Sequence, residues 1–152
     1  MSLPISVGDA YLLSKLAFKI GHALSTNRKA AAAEIQEVQN QLFALSEALS
    51  SAGEVTKQPF TSQQALQAFG KLLSNCQVAL NHLKSLTEKY DDAASPDGAS
   101  WRLKETVVRN WTKVKWTTKG GNISDLREAL ATHISAINLT LSALNTTQAG
   151  QI

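Results

Sequence analysis

Residues 61–90 read TSQQALQAFGKLLSNCQVALNHLKSLTEKY, and this stretch decides the fold class. Mostly apolar side chains recur in steps of three and four, which is the spacing of one face of an α-helix. The positions that keep this spacing are Leu66, Phe69, Leu73, Cys76, Leu80, Leu83, Thr87 and Tyr90. A second line of Leu72, Ala79 and Leu86 lies beside the first, so we expect this helix to bury a wide face and to be central to a bundle.

The chain before residue 61 predicts two more helices with the same spacing. The first begins after Asp9 as N-cap and extends to about Leu24, and the second covers roughly Lys29 to Leu49. Their apolar stripes consist of Leu13, Leu16, Ala17, Ile20 and Leu24, and of Ile35, Val38, Leu42, Leu45 and Leu49. Residues 50–60 contain Gly53 and Pro59, a combination that predicts a loop.

The chain after residue 90 predicts a loop, a short helical segment and a last helix. Residues 91–100 contain the breaker sequence SPDG, and the helical segment covers about Trp101 to Thr118. Gly120 and Gly121 end that segment, and Asn122 or Ser124 can cap the last helix, which extends to about Leu144. The stripe of this helix consists of Ile123, Leu126, Leu130, Ile134, Ile137, Leu141 and Leu144.

These elements predict an all-α fold, an antiparallel four-helix bundle with an extra fifth helical segment. Residues 1–144 form one domain in this prediction, and residues 145–152 form a polar tail or the start of a linker. The first residues lack the pattern of a signal peptide, and no stretch of the chain is apolar for long enough to span a bilayer. We therefore expect a soluble, cytoplasmic protein.

Catalytic and metal-binding patterns are missing from the sequence. His22, His82 and His133 lie on three predicted helices, and none has a partner at the spacing of a metal site. Cys76 lies on an apolar seam, where a buried structural thiol is the usual role. No phosphate-binding loop or nucleophile elbow occurs. We expect no enzymatic activity, no cofactor and no small-molecule substrate.

Positive charge is concentrated in one short window of the chain. Residues 101–119 contain six basic residues and one acid, hence a charge of +5, while the whole chain carries +3 and the remainder therefore −2. On a helical wheel Trp101 and Trp116 lie opposite the core-facing stripe, near Lys115 and Lys119. Three interpretations stay open: a solvated helix face, an anionic membrane surface, or nucleic acid. Nucleic acid is the weakest, because the rest of the chain is slightly acidic and no reading motif is present.

The first helix carries a second apolar side, with Tyr11 and Phe18 beside Lys15 and His22. A simple surface helix does not need such a side. The sequence therefore predicts a surface for a membrane or a protein partner made of two parts. Its residues are Tyr11, Lys15, Phe18, Lys19, Trp101, Arg102, Arg109, Lys113, Lys115, Trp116 and Lys119.

Three stretches resemble a known family. They are VGDAYLLSKLAFKIGHAL at residues 7–24, AAAEIQEVQNQLFALSEAL at residues 31–49, and RNWTKVKWTTKGGNISDLREALATHISAINLTLSAL at residues 109–144. The last is the most specific and matches the pattern at Trp111, Lys113, Lys115, Trp116, Lys119, Gly120, Ile123, Leu126, Arg127, Leu130, His133 and Asn138. The chain thus resembles the HeLo-like N-terminal domains of fungal NLR-type receptors and incompatibility proteins, which are likened to the four-helix bundle of the mixed lineage kinase domain-like pseudokinase.

The resemblance implies an effector of cell death or defence. Such a domain would oligomerise when a sensor domain on its C-terminal side is activated, and would then bind and permeabilise the plasma membrane. Its partners would be anionic lipids, further copies of itself and that sensor. The alternative is an adaptor that makes helix–helix contacts without membrane activity.

Overall fold

The computed structural model describes residues 7–23, 33–57, 63–92 and 115–149. These ranges contain four helices and no strand, which confirms the all-α fold class. Helix α1 covers Val7–Ala23, α2 covers Ala33–Thr56, α3 covers Gln63–Asp92 and α4 covers Ile123–Ala149.

The four helices pack in a cycle around one apolar core. Helix α1 packs against α2 and α3, and α4 packs against the same two helices, so α1 and α4 occupy opposite corners. The core includes Leu13, Ala17 and Ile20 of α1, Ile35, Val38, Leu42, Leu45 and Leu49 of α2, Phe69, Leu73, Cys76, Leu80 and Leu83 of α3, and Ile123, Leu126, Leu130, Ile137 and Leu141 of α4. These positions follow the predicted spacing of three and four, but Leu66, which keeps the same spacing at the start of α3, is exposed.

Helix α2, and not α3, is the most deeply packed element. It buries side chains along its whole length, from Ile35 to Ala52, and it has extensive contacts with both α1 and α4. The second line predicted on α3, Leu72, Ala79 and Leu86, is only half-buried. A wide apolar face on one helix shows how much it could bury, but the neighbours decide how much of that face is covered.

The ends of α1 and α2 differ from the sequence prediction. Helix α1 begins at Val7, so Asp9 lies in its first turn and is not the N-cap. The loop predicted from residue 50 is wrong as far as Thr56, because α2 continues through Gly53. Gly53 is buried against α1, and this packing offsets the weak helix propensity of glycine. The hydroxyl of Thr56 donates to the Ala52 carbonyl at 2.9 Å in the last turn.

Helix α4 begins with a reciprocal cap at Asn122, one of the two residues that the sequence offered as the cap. The Asp125 amide donates to Asn122 Oδ1 at 3.0 Å, and the Asn122 amide donates to Asp125 Oδ2 at 2.9 Å. The other end was predicted too early, because the helix continues beyond Leu144 to Ala149. The residues up to Ala149 are therefore helical.

The predicted fifth helical segment is not seen. Most of it, residues 101–114, lies outside the described residues, and residues 115–118 are not helical. Instead, the chain turns back on itself before α4: the Trp116 amide donates to the Gly121 carbonyl at 2.8 Å, and the Gly120 amide donates to the Thr117 carbonyl at 2.9 Å. Gly120 has a φ of +80°, a backbone conformation that favours glycine.

Polar side chains connect α2 to α4 at one edge of the core. Arg127 forms an ion pair with Glu37, and Gln41 Nε2 donates to the Arg127 carbonyl at 3.0 Å. The opposite charges and the amide hydrogen bond align the two helices beside the core. Because both charged groups are partly exposed, the ion pair adds little to stability.

Candidate functional site

The outward side of α1 combines exposed apolar and basic side chains. We define the α1 face as Leu12, Lys15, Phe18, Lys19 and His22, all of which are exposed. They fall within about 120° of one another on a helical wheel, so they form one continuous strip. Leu12 is 64% exposed and Phe18 is 56% exposed, so the strip presents two large apolar side chains to solvent beside its two lysines.

Phe18 is held in place although it is exposed. Its ring contacts the ring of Phe43 on α2, with centroids 5.3 Å apart and planes tilted by 41°. On its other side the ring is nearly parallel to that of His22, with centroids 6.4 Å apart. The Phe18 ring therefore projects from α1 in a defined orientation, between an aromatic residue of α2 and a titratable residue of its own helix.

Tyr11, which the sequence placed on the same surface, is directed to α2. A Cβ atom at Gly53 would lie 3.0 Å from Tyr11 Cζ, so the ring lies directly over that glycine. The Tyr11 hydroxyl donates to Glu54, and Lys57 Nζ lies 4.6 Å from the centre of the Tyr11 ring. The hydrogen bond to Tyr11 and the charge of Glu54 raise the pKa of Lys57. Tyr11 is thus half-buried and engaged within the domain.

The interface between α1 and α2 is close, which the spacing of apolar residues did not predict. Ser14 Oγ donates to the Ser46 carbonyl at 2.7 Å, and Ser46 Oγ donates to the Ser14 carbonyl at 2.8 Å. Tyr11 covers Gly53 near one end of α1, and Phe43 covers Gly21 near the other. Residues further along α1 therefore contact residues earlier in α2, so these two helices run in opposite directions. The sequence feature that could have predicted this close approach is the row of small residues on α1: Ala10, Ser14, Ala17 and Gly21.

The basic segment before α4 is described only at its end. Lys115 and Lys119 are exposed, and His82 Nε2 lies 2.9 Å from the Lys115 carbonyl, in hydrogen-bond distance. Trp101, Arg102, Arg109 and Lys113 lie outside the described residues. The structure therefore brings Lys15, Phe18 and Lys19 together on one surface, whereas it shows no common surface for these residues and the basic segment.

The predicted surface position of Trp116 is wrong. Its side chain is 2% exposed and belongs to the core, although the helical wheel placed it on the outer side. The wheel applied helical geometry to residues 115–118, and these residues are not helical. Trp116 is therefore not available as a surface anchor in this conformation.

No group of three or more His, Cys, Asp or Glu side chains that could hold a metal ion occurs among the described residues. Cys76 is buried, and burial raises the pKa of its thiol to about 12, so the reactive thiolate is disfavoured. His133 is half-buried, and desolvation lowers its pKa. None of the described helices has the length and apolar character needed to cross a membrane.

Comparison with known proteins places the chain in a family. The family model for the N-terminal domain of pigment biosynthesis cluster protein PigL matches residues 4–151, nearly the whole chain. No curated protein and no solved structure matches it. The match fits the expectation of a fungal helical N-terminal domain. The chain belongs to the family of N-terminal domains of pigment biosynthesis cluster protein PigL.

Proposed function

We propose that this domain is a non-catalytic effector of cell death or defence that binds anionic membranes through the α1 face and acts as an oligomer. The observation that supports membrane binding is the exposure of Leu12 and Phe18 beside Lys15 and Lys19. An aromatic and an aliphatic side chain can enter the headgroup region, while the neighbouring lysines remain at the level of the lipid phosphates.

The energies of these contacts favour reversible binding at the surface. Each lysine near an anionic bilayer contributes about 1 kcal/mol. Burying the exposed parts of Leu12 and Phe18 adds at most about 1.5–3 kcal/mol for each side chain. The only acidic residue within α1 is Asp9, in the first turn, so little charge repulsion from this helix opposes the approach.

The same lysines oppose direct insertion of α1. A lysine at the centre of a bilayer costs about 2.5–3.5 kcal/mol on insertion scales. We therefore propose that a single domain binds at the membrane surface and that any permeabilisation requires several copies. In this proposal the protein is cytoplasmic and moves to the plasma membrane on activation, and a sensor segment on the C-terminal side drives assembly.

The proposal also includes the arrangement of the helices. We propose a HeLo-like antiparallel bundle of the kind found in NLR-type and heterokaryon incompatibility proteins. The opposite directions of α1 and α2, the α1–α2–α4–α3 packing cycle and membership in a family of N-terminal domains support it. The basic segment, with Arg102, Arg109, Lys113 and Lys115, is proposed as a second contact with lipid headgroups.

Vesicle flotation tests membrane binding by the α1 face. The purified chain is mixed with vesicles of phosphatidylcholine, with or without phosphatidylserine, and we expect it to float only with the anionic vesicles. In the double variant Lys15→Glu/Lys19→Glu the loss of two favourable charges of about 1 kcal/mol each should weaken binding by roughly 30-fold or more. Phe18→Ser should weaken binding at unchanged charge.

The matched control is Lys71→Glu/Lys84→Glu, which makes the same charge change at two exposed lysines of α3. It should bind almost as the original chain does. Equal losses in both double variants would show that net charge alone drives binding, and no flotation with anionic vesicles would reject the membrane function. Expression in cells with and without the α1 variants tests whether cell death depends on the same surface.

The second candidate is an adaptor that binds other helices without membrane activity. The exposed Leu139 of α4, in a region without charges, favours it. Self-association of the chain without any flotation would favour this adaptor over the membrane effector.

A further inference from the structure

The outward side of α4 lacks charged side chains over most of its length. From Ala129 to Ile152 the sequence contains no Asp, Glu, Lys or Arg. The titratable side chain in this stretch is His133, which is half-buried with a lowered pKa, so it is mainly neutral at pH 7. Helix α4 therefore presents an uncharged exterior to water beyond its first turns.

Leu139 lies at the centre of this exterior and, at 73%, is the most exposed large apolar side chain in the part of the chain that the structure describes. Around it lie small, neutral residues, all exposed and within about 100° on the helical wheel. We define the α4 face as Ala131, Thr132, Ser135, Leu139 and Ser142. The short side chains around Leu139 allow the backbone of another helix to approach closely.

Two hydroxyl groups, one on this face and one beside it, are already bonded within the helix. Thr132 Oγ1 donates to the Glu128 carbonyl at 2.9 Å, and Thr140 Oγ1 donates to the Ala136 carbonyl at 2.9 Å. A donor that already has its partner loses little when water is removed, whereas an unpaired buried donor is costly. Covering this face would therefore leave these two donors satisfied.

Three of the other exposed apolar side chains among the described residues have charged residues on the same side of their helix, whereas Leu66 of α3 has none within a turn but is less exposed, at 40%. Leu12 and Phe18 lie among the lysines of the α1 face, and Val78 of α3 lies two helical turns from Lys71 on the same side. The nearest charged residue of α4 to Leu139 is Glu128, three turns away. This contrast separates a surface suited to anionic lipids from one suited to a neutral partner.

We propose that the α4 face is the surface through which two copies of this chain associate, with α4 packed against α4 of the second copy. In a two-fold symmetric contact each residue near the axis meets its own copy, so a charged face would repel itself. A neutral face around one exposed leucine is free of that repulsion. This inference deepens the proposed function, because it names the contact by which the domain oligomerises.

The position of α4 keeps the two surfaces independent. Helices α1 and α4 occupy opposite corners of the packing cycle, so the α1 face and the α4 face lie on different sides of the domain. A dimer formed through α4 would leave both α1 faces exposed. Two membrane-binding surfaces in one particle would then bind vesicles more tightly than one.

Sedimentation velocity on the whole chain tests the proposal. Concentrations from about 10 μM to about 1 mM cover specific association down to its weakest range. We expect a monomer–dimer equilibrium whose Kd rises about tenfold or more in Leu139→Lys, because two like charges would meet near the axis. The control Val78→Lys adds the same charge at another exposed apolar residue and should leave the Kd unchanged. Circular dichroism checks that each variant is folded.

Oxidative cross-linking adds a readout that depends on position. The Leu139→Cys variant should form a disulfide-linked dimer, and Val78→Cys should not, while the buried Cys76 stays unreactive. A monomer at all concentrations, an equal effect of Val78→Lys, or no cross-link at position 139 would overturn the proposal. If Leu139→Lys instead abolishes vesicle binding by the monomer, the face contacts lipid and the proposal is also wrong. The Lys15→Glu/Lys19→Glu variant should dimerise normally, so failure of membrane binding is distinguishable from failure of association.

Discussion

Ser14 and Ser46 each donate a hydrogen bond to the backbone carbonyl of the other, across the interface between α1 and α2. The two hydroxyl oxygens lie 3.1 Å apart, so the helices approach closely at this point. A larger side chain at either position would push them apart. The pair thus fixes the position of α1, whose outward side is the proposed membrane surface.

Substitution of either serine should destabilise the domain. Ser14→Ala and Ser46→Ala each remove one interhelical hydrogen bond, and we expect each to lower the free energy of unfolding by about 1 kcal/mol in urea titrations. Ser74→Ala on the exposed side of α3 is the control and should change it by less than about 0.5 kcal/mol. Full stability of Ser14→Ala would show that the pair is not important for the interface.

The helical glycines should respond differently to alanine. A Cβ atom at Gly70 would meet nothing within 4 Å, so Gly70→Ala should stabilise α3 by about 0.5–1 kcal/mol. At Gly21 the new Cβ would lie 2.9 Å from Phe43 Cε1 and 3.3 Å from Leu42 Cβ. We therefore expect Gly21→Ala to lower the melting temperature while Gly70→Ala raises it. A stabilised Gly21→Ala variant would show that the Phe43 ring moves away without cost.

Removal of the Trp116 side chain should cost as much as a core substitution. Trp116→Ala should lower the free energy of unfolding by about 3–5 kcal/mol, because a large buried side chain is lost. Trp116→Phe should lose less, since it keeps an aromatic ring in the core. A loss below about 0.5 kcal/mol in Trp116→Ala, measured by chemical denaturation, would place this side chain at the surface after all.

Acid should weaken the domain through His133. Its pKa is lowered in the folded state by burial, so below pH 6.5 the unfolded chain binds the proton more readily than the folded one. The stability that depends on neutral His133 is therefore complete above about pH 6.5 and is lost as the pH falls through the lowered pKa. Urea midpoints at pH 8 and pH 5 should differ less in His133→Gln than in the original chain. The exposed His22 provides the control, because His22→Gln should keep the pH dependence.

The sequence by itself determined the helices and their buried sides. The spacing of apolar residues is a local property, so most residues of the stripes from Leu13 to Ile20, Ile35 to Leu49, Phe69 to Leu83 and Ile123 to Leu141 lie in the core, with Leu16 and Ile134 partly buried against it. A cap at Asn122 or Ser124 was also predicted, and the structure places it at Asn122, whose partner Asp125 is only three residues later. The exposure of Lys15, Phe18 and Lys19 follows from the same wheel that buries Leu13 and Ala17.

Only the tertiary structure decided the features that depend on contacts between residues far apart in the chain. Gly53 lies inside a helix because Tyr11 packs over it, although glycine ordinarily favours a break. Trp116 is in the core because the chain leaves helical geometry before α4, so a helical wheel could not place it. Helical periodicity states which side of a helix is apolar, but not which neighbour covers that side. The close contact of Ser14 with Ser46 was therefore decided by packing.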